Sequence, residues 1–261
     1  MVDLPHEDRI RWLLTRMSRM HREGAEPVAG LVQPDARYFP DSVAGDPKGL
    51  QKLWRRVLKH AGLSDISARL HVPMADEAAG GSCSSGACGP TIAGPAPRRR
   101  VTPMGEDYVV TVQPAELRHP VVLTTTLARA ASEVFVREAE LFDLFEPNER
   151  GLAIDVGAVM LGFGVLLANG SYVYSKGCGG VSVASATVLP VEEIALALAV
   201  FVELHGVKKG HARRHLETTP RAYFDLASSW AAANRAVVDL VAHDPAAVEA
   251  GSYSLSEARG F

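Results

Sequence analysis

HPVVLTTTLARAASE, running from His119 to Glu133, opens a helix whose two faces carry different information. Leu123, Leu127, Ala130, Ala131 and Val134 recur at helical spacing as one apolar stripe, while Val122 and Val136 lie on the side of Arg129. The spacing predicts a helix over about Pro120 to Leu144 that is covered on both faces. Arg129 and Glu133 stand four residues apart on it. On an exposed face such a pair is a solvated contact worth about 0.3 kcal/mol. On a covered face each charge needs a partner, because an uncompensated buried charge costs several kcal/mol.

The neighbouring elements follow from the same periodicity. A second helix is predicted from about Leu152 to Asn169, with Asp155 near its start and Gly157, Ala158, Gly162 and Gly164 inviting close approach by a neighbour. Its apolar run, Val156 to Ala168, is shorter than the ~20 residues a membrane span needs, so a buried core helix is expected and no membrane span. Two further helices are predicted from Pro190 to His205 and from Pro220 to His243. Each opens on a proline, and Glu192 and Glu193 suit the first turn of the former while Gly206 closes it. Upstream, Ile10, Leu13, Leu14, Met17 and Met20 define a helix between Pro5 and Gly24. Residues 25–47 read as an extended connector, and Leu50, Leu53, Trp54, Val57 and Leu58 define a helix over Lys48 to His60. Ile66 to Val72 alternates as a half-buried strand, and Tyr108 to Val112 is a second. Residues 73–106 read as a flexible Gly/Ser/Pro/Cys insertion and residues 245–261 as a loose tail. The expected fold is α+β and mainly helical, one domain over residues 1–261 with a small sheet of two or three strands.

Composition narrows the function classes. The 261 residues are 47% hydrophobic and 22% charged, with a formal net charge of -3 and a pI near 6.3. That balance offers no long-range attraction to nucleic acid or an anionic membrane, so neither is an expected partner. The run Arg98, Arg99, Arg100 has no interleaved aromatic and reads as a solvated charge run. The basic N-terminal helix is tempered by Asp3, Glu7, Asp8 and Glu23, which favours docking on the core or on a protein. The first residues have no continuous apolar stretch of signal-peptide type, and the cytoplasm is the expected compartment.

Several stretches together carry a family resemblance. Phe39-Pro40-Asp41 followed by the helix Gly49 to Gly62, then HPVVLTTTLAR at His119 to Arg129, LGFGVLLAN at Leu161 to Asn169, Leu189 to Gly206, and Thr219 to Phe224 resemble, in order and spacing, a family of bacterial zincin-like proteins of unassigned role. The resemblance implies a pair of core helices on which an HExxH motif would place two His at i and i+4 on zinc and a Glu as base. The five matching positions here are Arg129, Ala130, Ala131, Ser132 and Glu133. The third ligand would stand four residues before Asp155, where this chain has Gly151; Glu149 reaches that place only if the register slips by two. A guanidinium cannot ligate zinc, and one carboxylate is too few. The resemblance therefore implies a degenerate member with no catalytic residues and no zinc at this site: a binding or scaffold protein with a protein partner, in which Arg129 pairs with Asp155 or Glu133.

Three cysteines leave a second reading open. Cys83 and Cys88 in GGSCSSGACGP and Cys178 in SKGCGG each have glycine within two residues. Three thiolates, with water, His71 or His119 as a fourth ligand, are the donor set for zinc or another soft metal, or for redox chemistry. The plainer reading is that Cys83 and Cys88 are exposed loop thiols, open at most to a local disulfide, and that Cys178 is unrelated. The nine histidines fall in no nucleophile motif.

Overall fold

The computed structural model describes residues 2–40, 47–73, 100–177 and 180–256. Helix α1, Glu7–Arg22, begins with Glu7 and Asp8 and ends with Arg19, His21 and Arg22, charges that match its dipole, and buries Ile10, Leu13, Leu14, Met17 and Met20. The chain that follows is not the extended connector the composition suggests. It folds through successive turns and buries Ala25, Leu31, Val32 and Gln33, because it packs into the core rather than crossing a surface. Helix α2, Pro47–His60, buries the five apolar residues expected of it. His60 Nε2 lies 3.0 Å from the Tyr38 carbonyl oxygen, tying the connector to the end of that helix.

Strands β1, Ala68–His71, β2, Val101–Met104, and β3, Asp107–Thr111, form a sheet in the order β1-β3-β2, with β1 parallel and β2 antiparallel to β3. On β1, Ala68 and Leu70 turn toward the core and Arg69 and His71 away, as the alternation requires. Strand β2 corrects the far boundary of the insertion. Residues that read as loop are recruited by the ladder of β3, and Pro103 is accommodated because β2 is an edge strand. Arg100 is likewise no solvated charge; its guanidinium grips buried Glu116 at 2.8 Å through both terminal nitrogens. Glu116 also accepts from the Gln113 backbone N–H at 2.8 Å and the Thr126 hydroxyl at 3.0 Å, which fastens the sheet to the next helix. At the other end of that helix Tyr108 donates to Glu138 at 2.5 Å, and burial, with the Glu138 contact second, pushes the phenol up to about 12.

That helix, α3, spans Pro120–Glu138 and ends earlier than the sequence suggests, because Glu140 takes a left-handed conformation and starts a 3-10 turn at Leu141–Leu144. Helix α4, Arg150–Ala158, runs through a π turn, Val159–Phe163, into α5, Gly164–Gly170. Together they make a rod of 21 residues that is, by length and composition, apolar enough to cross a membrane, and 89% of its most apolar window is buried inside the fold. Its small residues serve α3: a Cβ added at Gly157 would strike the Ser132 hydroxyl, and one at Gly170 would overlap Thr125. The hairpin β4, Val173–Gly177, and β5, Gly180–Ala184, was not legible as strands.

Helix α6, Val191–Leu204, is buried along nearly its whole length, and the short α7, Lys209–Arg213, follows it. The long helix expected up to His243 is two helices, α8, Thr218–Ala233, and α9, Arg235–His243. Between them Asn234 donates to the carbonyls of Trp230 and Ser256 and accepts from the Ser256 N–H at 2.7 Å. Residues 245–256 are therefore not a loose tail: α10, Pro245–Glu249, buries Val248, and the Tyr253 carbonyl accepts from Arg11. The fold is mainly helical α+β, as the sequence indicates.

The bend in the rod is the position least tolerant of change. Gly162 has φ 94°, a Cβ there would overlap the Gly30 carbonyl oxygen, and its own carbonyl accepts from the Val32 N–H at 2.9 Å. Gly162→Ala therefore combines left-handed strain with a backbone clash and should destabilise the fold by more than about 3 kcal/mol. Gly210→Ala, with open space around it, should change the midpoint by less than about 1 kcal/mol in the same denaturant titration.

Candidate functional site

The five residues of the motif region sit on the covered part of α3, and all are buried. Arg129 reaches across to α4 and donates from Nε to Asp155 Oδ1 at 2.5 Å. Asp155 has no exposed surface, and Arg129 retains 5% of its own. The second carboxylate oxygen, Oδ2, accepts from the backbone N–H groups of Val188 at 2.6 Å and Leu189 at 2.8 Å. One side chain thus joins α3, α4 and the loop that leads into α6. The loop is also braced internally, by the Thr187 hydroxyl donating to the Leu189 carbonyl at 2.7 Å and the Ala186 N–H donating to Gly170 at 2.8 Å.

Each of the other expected positions is engaged elsewhere. Glu133 does not meet Arg129; it accepts from Arg137 at 2.6 Å, four residues along the same helix. Ser132 donates to the Ile154 carbonyl at 2.7 Å. Ala130 and Ala131 pack in the core. At Gly151 the methyl groups of Val188 occupy the direction a side chain would take, with the nearest 3.1 Å from an ideal Cβ. Among the described residues no group of three or more His, Cys, Asp or Glu side chains is arranged to hold a metal ion. Cys83, Cys88 and Cys178 lie outside the described residues.

A second layer of charge around this junction was not legible in the sequence. Glu149, just ahead of α4, accepts from Trp12 Nε1 at 2.9 Å and Arg16 at 2.7 Å. Arg9 grips Glu193, in the first turn of α6, at 2.8 and 2.6 Å. Both guanidiniums also lie against the Trp12 ring, at 4.4 and 5.2 Å from its centroid. The partners are 133 or more residues apart in sequence, so no local pattern announces them. Burial works against the Glu149 charge, but the hydrogen bonds from Trp12 and Arg16 outweigh it and hold its pKa below the usual carboxylate range.

Comparisons of the chain with protein-family models, with curated proteins and with solved structures found no match.

Arg129→Ala leaves the Asp155 carboxylate buried with only its two backbone donors, and should lower stability by about 3 kcal/mol in denaturant unfolding. Replacing both partners by apolar residues, Arg129→Met with Asp155→Leu, removes the stranded charge but frees two backbone N–H groups, so it should recover only part of that loss. Acid titration reads Glu149. A carboxyl whose folded pKa is depressed contributes stability above its unfolded value, ~4.3, and loses it as pH falls through the lower folded one. Glu149→Gln should therefore flatten the acid limb of the stability curve below about pH 4.5, measured by thermal unfolding at a series of pH values.

Proposed function

We propose that this chain is a non-catalytic relative of zinc peptidases, a pseudo-metallopeptidase that acts as a protein-binding or scaffold protein. The observation that carries the reading is the Arg129–Asp155 pair. The two helices that would jointly build a metal centre are instead joined there by a buried ion pair, with Val188 seated over Gly151. Hydrolysis of a peptide bond by a zincin needs three protein ligands, an open position for water and a base beside it. Arg129 supplies a cation where the first ligand would be, Ala130 has no proton acceptor where the base would be, and Glu133 is held by Arg137. The arrangement favours rigidity over chemistry. Three elements converge on one carboxylate, so the surface above it is held in a fixed shape that a partner can recognise.

Purified, untagged protein should show no chelator-sensitive hydrolysis of a broad peptide library. Cleavage that stops on adding a chelator and returns with zinc would overturn the proposal. Metal analysis of the same sample supplies the second arm. A stoichiometric soft metal that is lost on replacing Cys83, Cys88 and Cys178 by Ser would assign the function to the thiols instead.

A further inference from the structure

Helix α2 contains five Lys or Arg and no Asp or Glu. Four of the five, Lys48, Lys52, Arg55 and Lys59, follow one another at steps of four, three and four residues. That spacing sets them within an arc of about 60° and along about 16 Å of one helical face. The apolar residues Leu50, Leu53, Trp54, Val57 and Leu58 take the other side and are buried. All four cations are exposed, and among the described residues none makes an ion pair or a hydrogen bond. Arg56 lies to one side of the row and is half-buried. On α1, by contrast, Arg9, Arg11, Arg16, Arg19 and Arg22 each meet a carboxylate. Around α2 in sequence, Asp65 stands beyond the turn at Gly62, and Asp46, ahead of the helix, lies outside the described residues. His60, at the end of α2, senses the same field. Burial first, and then the charges of Arg56 and Lys59, hold its imidazole below the ordinary value against its hydrogen bond to the Tyr38 carbonyl.

What can answer such a row is limited by what accompanies it. The apolar side chains of α2 are all spent on the core, so this face supplies neither the apolar centre of a protein interface nor anything to insert into a bilayer. The one amide of the helix, Gln51, donates to the Leu70 carbonyl at 3.2 Å, and the Trp54 ring nitrogen donates to the Ala68 carbonyl at 2.8 Å. The row therefore carries nothing besides its cations to read a base edge or a 2′-hydroxyl, and no aromatic ring to stack a base. The backbone of double-stranded DNA asks for nothing more. Its phosphates lie in rows, and cations that neutralise them release condensed counterions, a gain that needs no apolar burial. A file of cations suits a strand, whereas a bilayer surface spreads its charge in two dimensions. The chain as a whole has a net charge of -3, but charges beyond about 10 Å are screened at ~0.1 M salt, so contact is governed by the row itself.

We propose that the exposed face of α2 docks double-stranded DNA without sequence preference, with Lys48, Lys52, Arg55 and Lys59 set on backbone phosphates. Three of the four are lysines, compact point charges on flexible stems that follow a phosphate row without demanding the fixed geometry of a base contact. The inference goes beyond the scaffold reading and rests on a different face of the molecule.

The probe is a short fluorescein-labelled DNA duplex of mixed sequence, titrated with the untagged full chain and read by anisotropy at a series of salt concentrations. Four phosphate contacts predict a slope of log K against log salt of about -3.6, so a fourfold rise in salt should weaken binding about a hundredfold. Lys52→Gln with Arg55→Gln should make that slope shallower by about 2, and Lys52→Arg with Lys59→Arg should leave it unchanged. Lys208→Gln with Lys209→Gln, which removes the same charge at the start of α7, should leave it unchanged as well. Should the α2 Gln variant unfold at lower denaturant than wild type, backbone amide shifts of the wild-type protein on adding the duplex read the same contact, expected in α2 and absent from α7. Duplex RNA, polyglutamate and phosphatidylserine vesicles, titrated in parallel, should each bind no tighter than the DNA. No salt-dependent binding, an unchanged slope in the α2 Gln variant, an equal loss in the α7 variant, or tighter binding of any of the three competitors overturns the docking surface. None of these outcomes touches the peptidase assay, so this surface and the non-catalytic reading fail separately.

Discussion

A carboxylate with no exposed surface must have its charge answered inside the protein, and Asp155 is answered from three directions. The Arg129 guanidinium takes one oxygen and two successive backbone N–H groups of the loop before α6 take the other. Hydrogen bonds to an ionised acceptor are the strong ones, and in a low-dielectric interior they also fix geometry. Loss of any one donor leaves the remainder to bear an incompletely compensated charge. The relative placement of α3, α4 and α6 is in this sense set by one side chain, and the position of Val188 over Gly151 follows from it.

Around that pair the helices approach closely because their facing residues are small or locally satisfied. Gly157 leaves room for Ser132, and Gly170 leaves room for Thr125, whose hydroxyl donates to the Leu166 carbonyl at 2.9 Å. The rod from Arg150 to Gly170 has the composition of a membrane helix and is instead enclosed by α3, α6 and the connector. What makes it a core element is the supply of apolar faces around it, including Leu31 and Val32 from a stretch rich in turn residues. The bend at Gly162 is where that stretch enters the core.

Where carboxylates meet cations here, the pairing joins elements distant in sequence more often than neighbours on one helix. Glu116 collects Arg100, Gln113 and Thr126. Glu149 and Glu193 collect α1 through Trp12, Arg16 and Arg9. Such contacts add modest net stability where they are exposed, and more specificity where they are buried, since a misdocked helix would strand a charge.

The local pattern of residues was enough to read the helices at Glu7–Arg22, Pro47–His60 and Val191–Leu204, the alternation of β1, and the cover on both faces of α3, because hydrophobic period is a property of neighbouring residues. The helical reading put Arg129 on a helix covered on both faces, where it would need a partner, and the family resemblance implied Asp155 or Glu133 as that partner. Choosing between them required the tertiary structure, since Glu133 is taken by Arg137 and the geometry of two packed helices delivers Asp155. Strand β2, the β4–β5 hairpin, the break at Asn234 and the docking of residues 245–256 were also decided there. Each depends on a ladder or a hydrogen-bond partner supplied from elsewhere in the chain: β3 for Val101–Met104, and Ser256 for Asn234. A periodic pattern records which face of an element is buried. It does not record what that face is buried against, and for charged side chains the partner settles both the energy and the site.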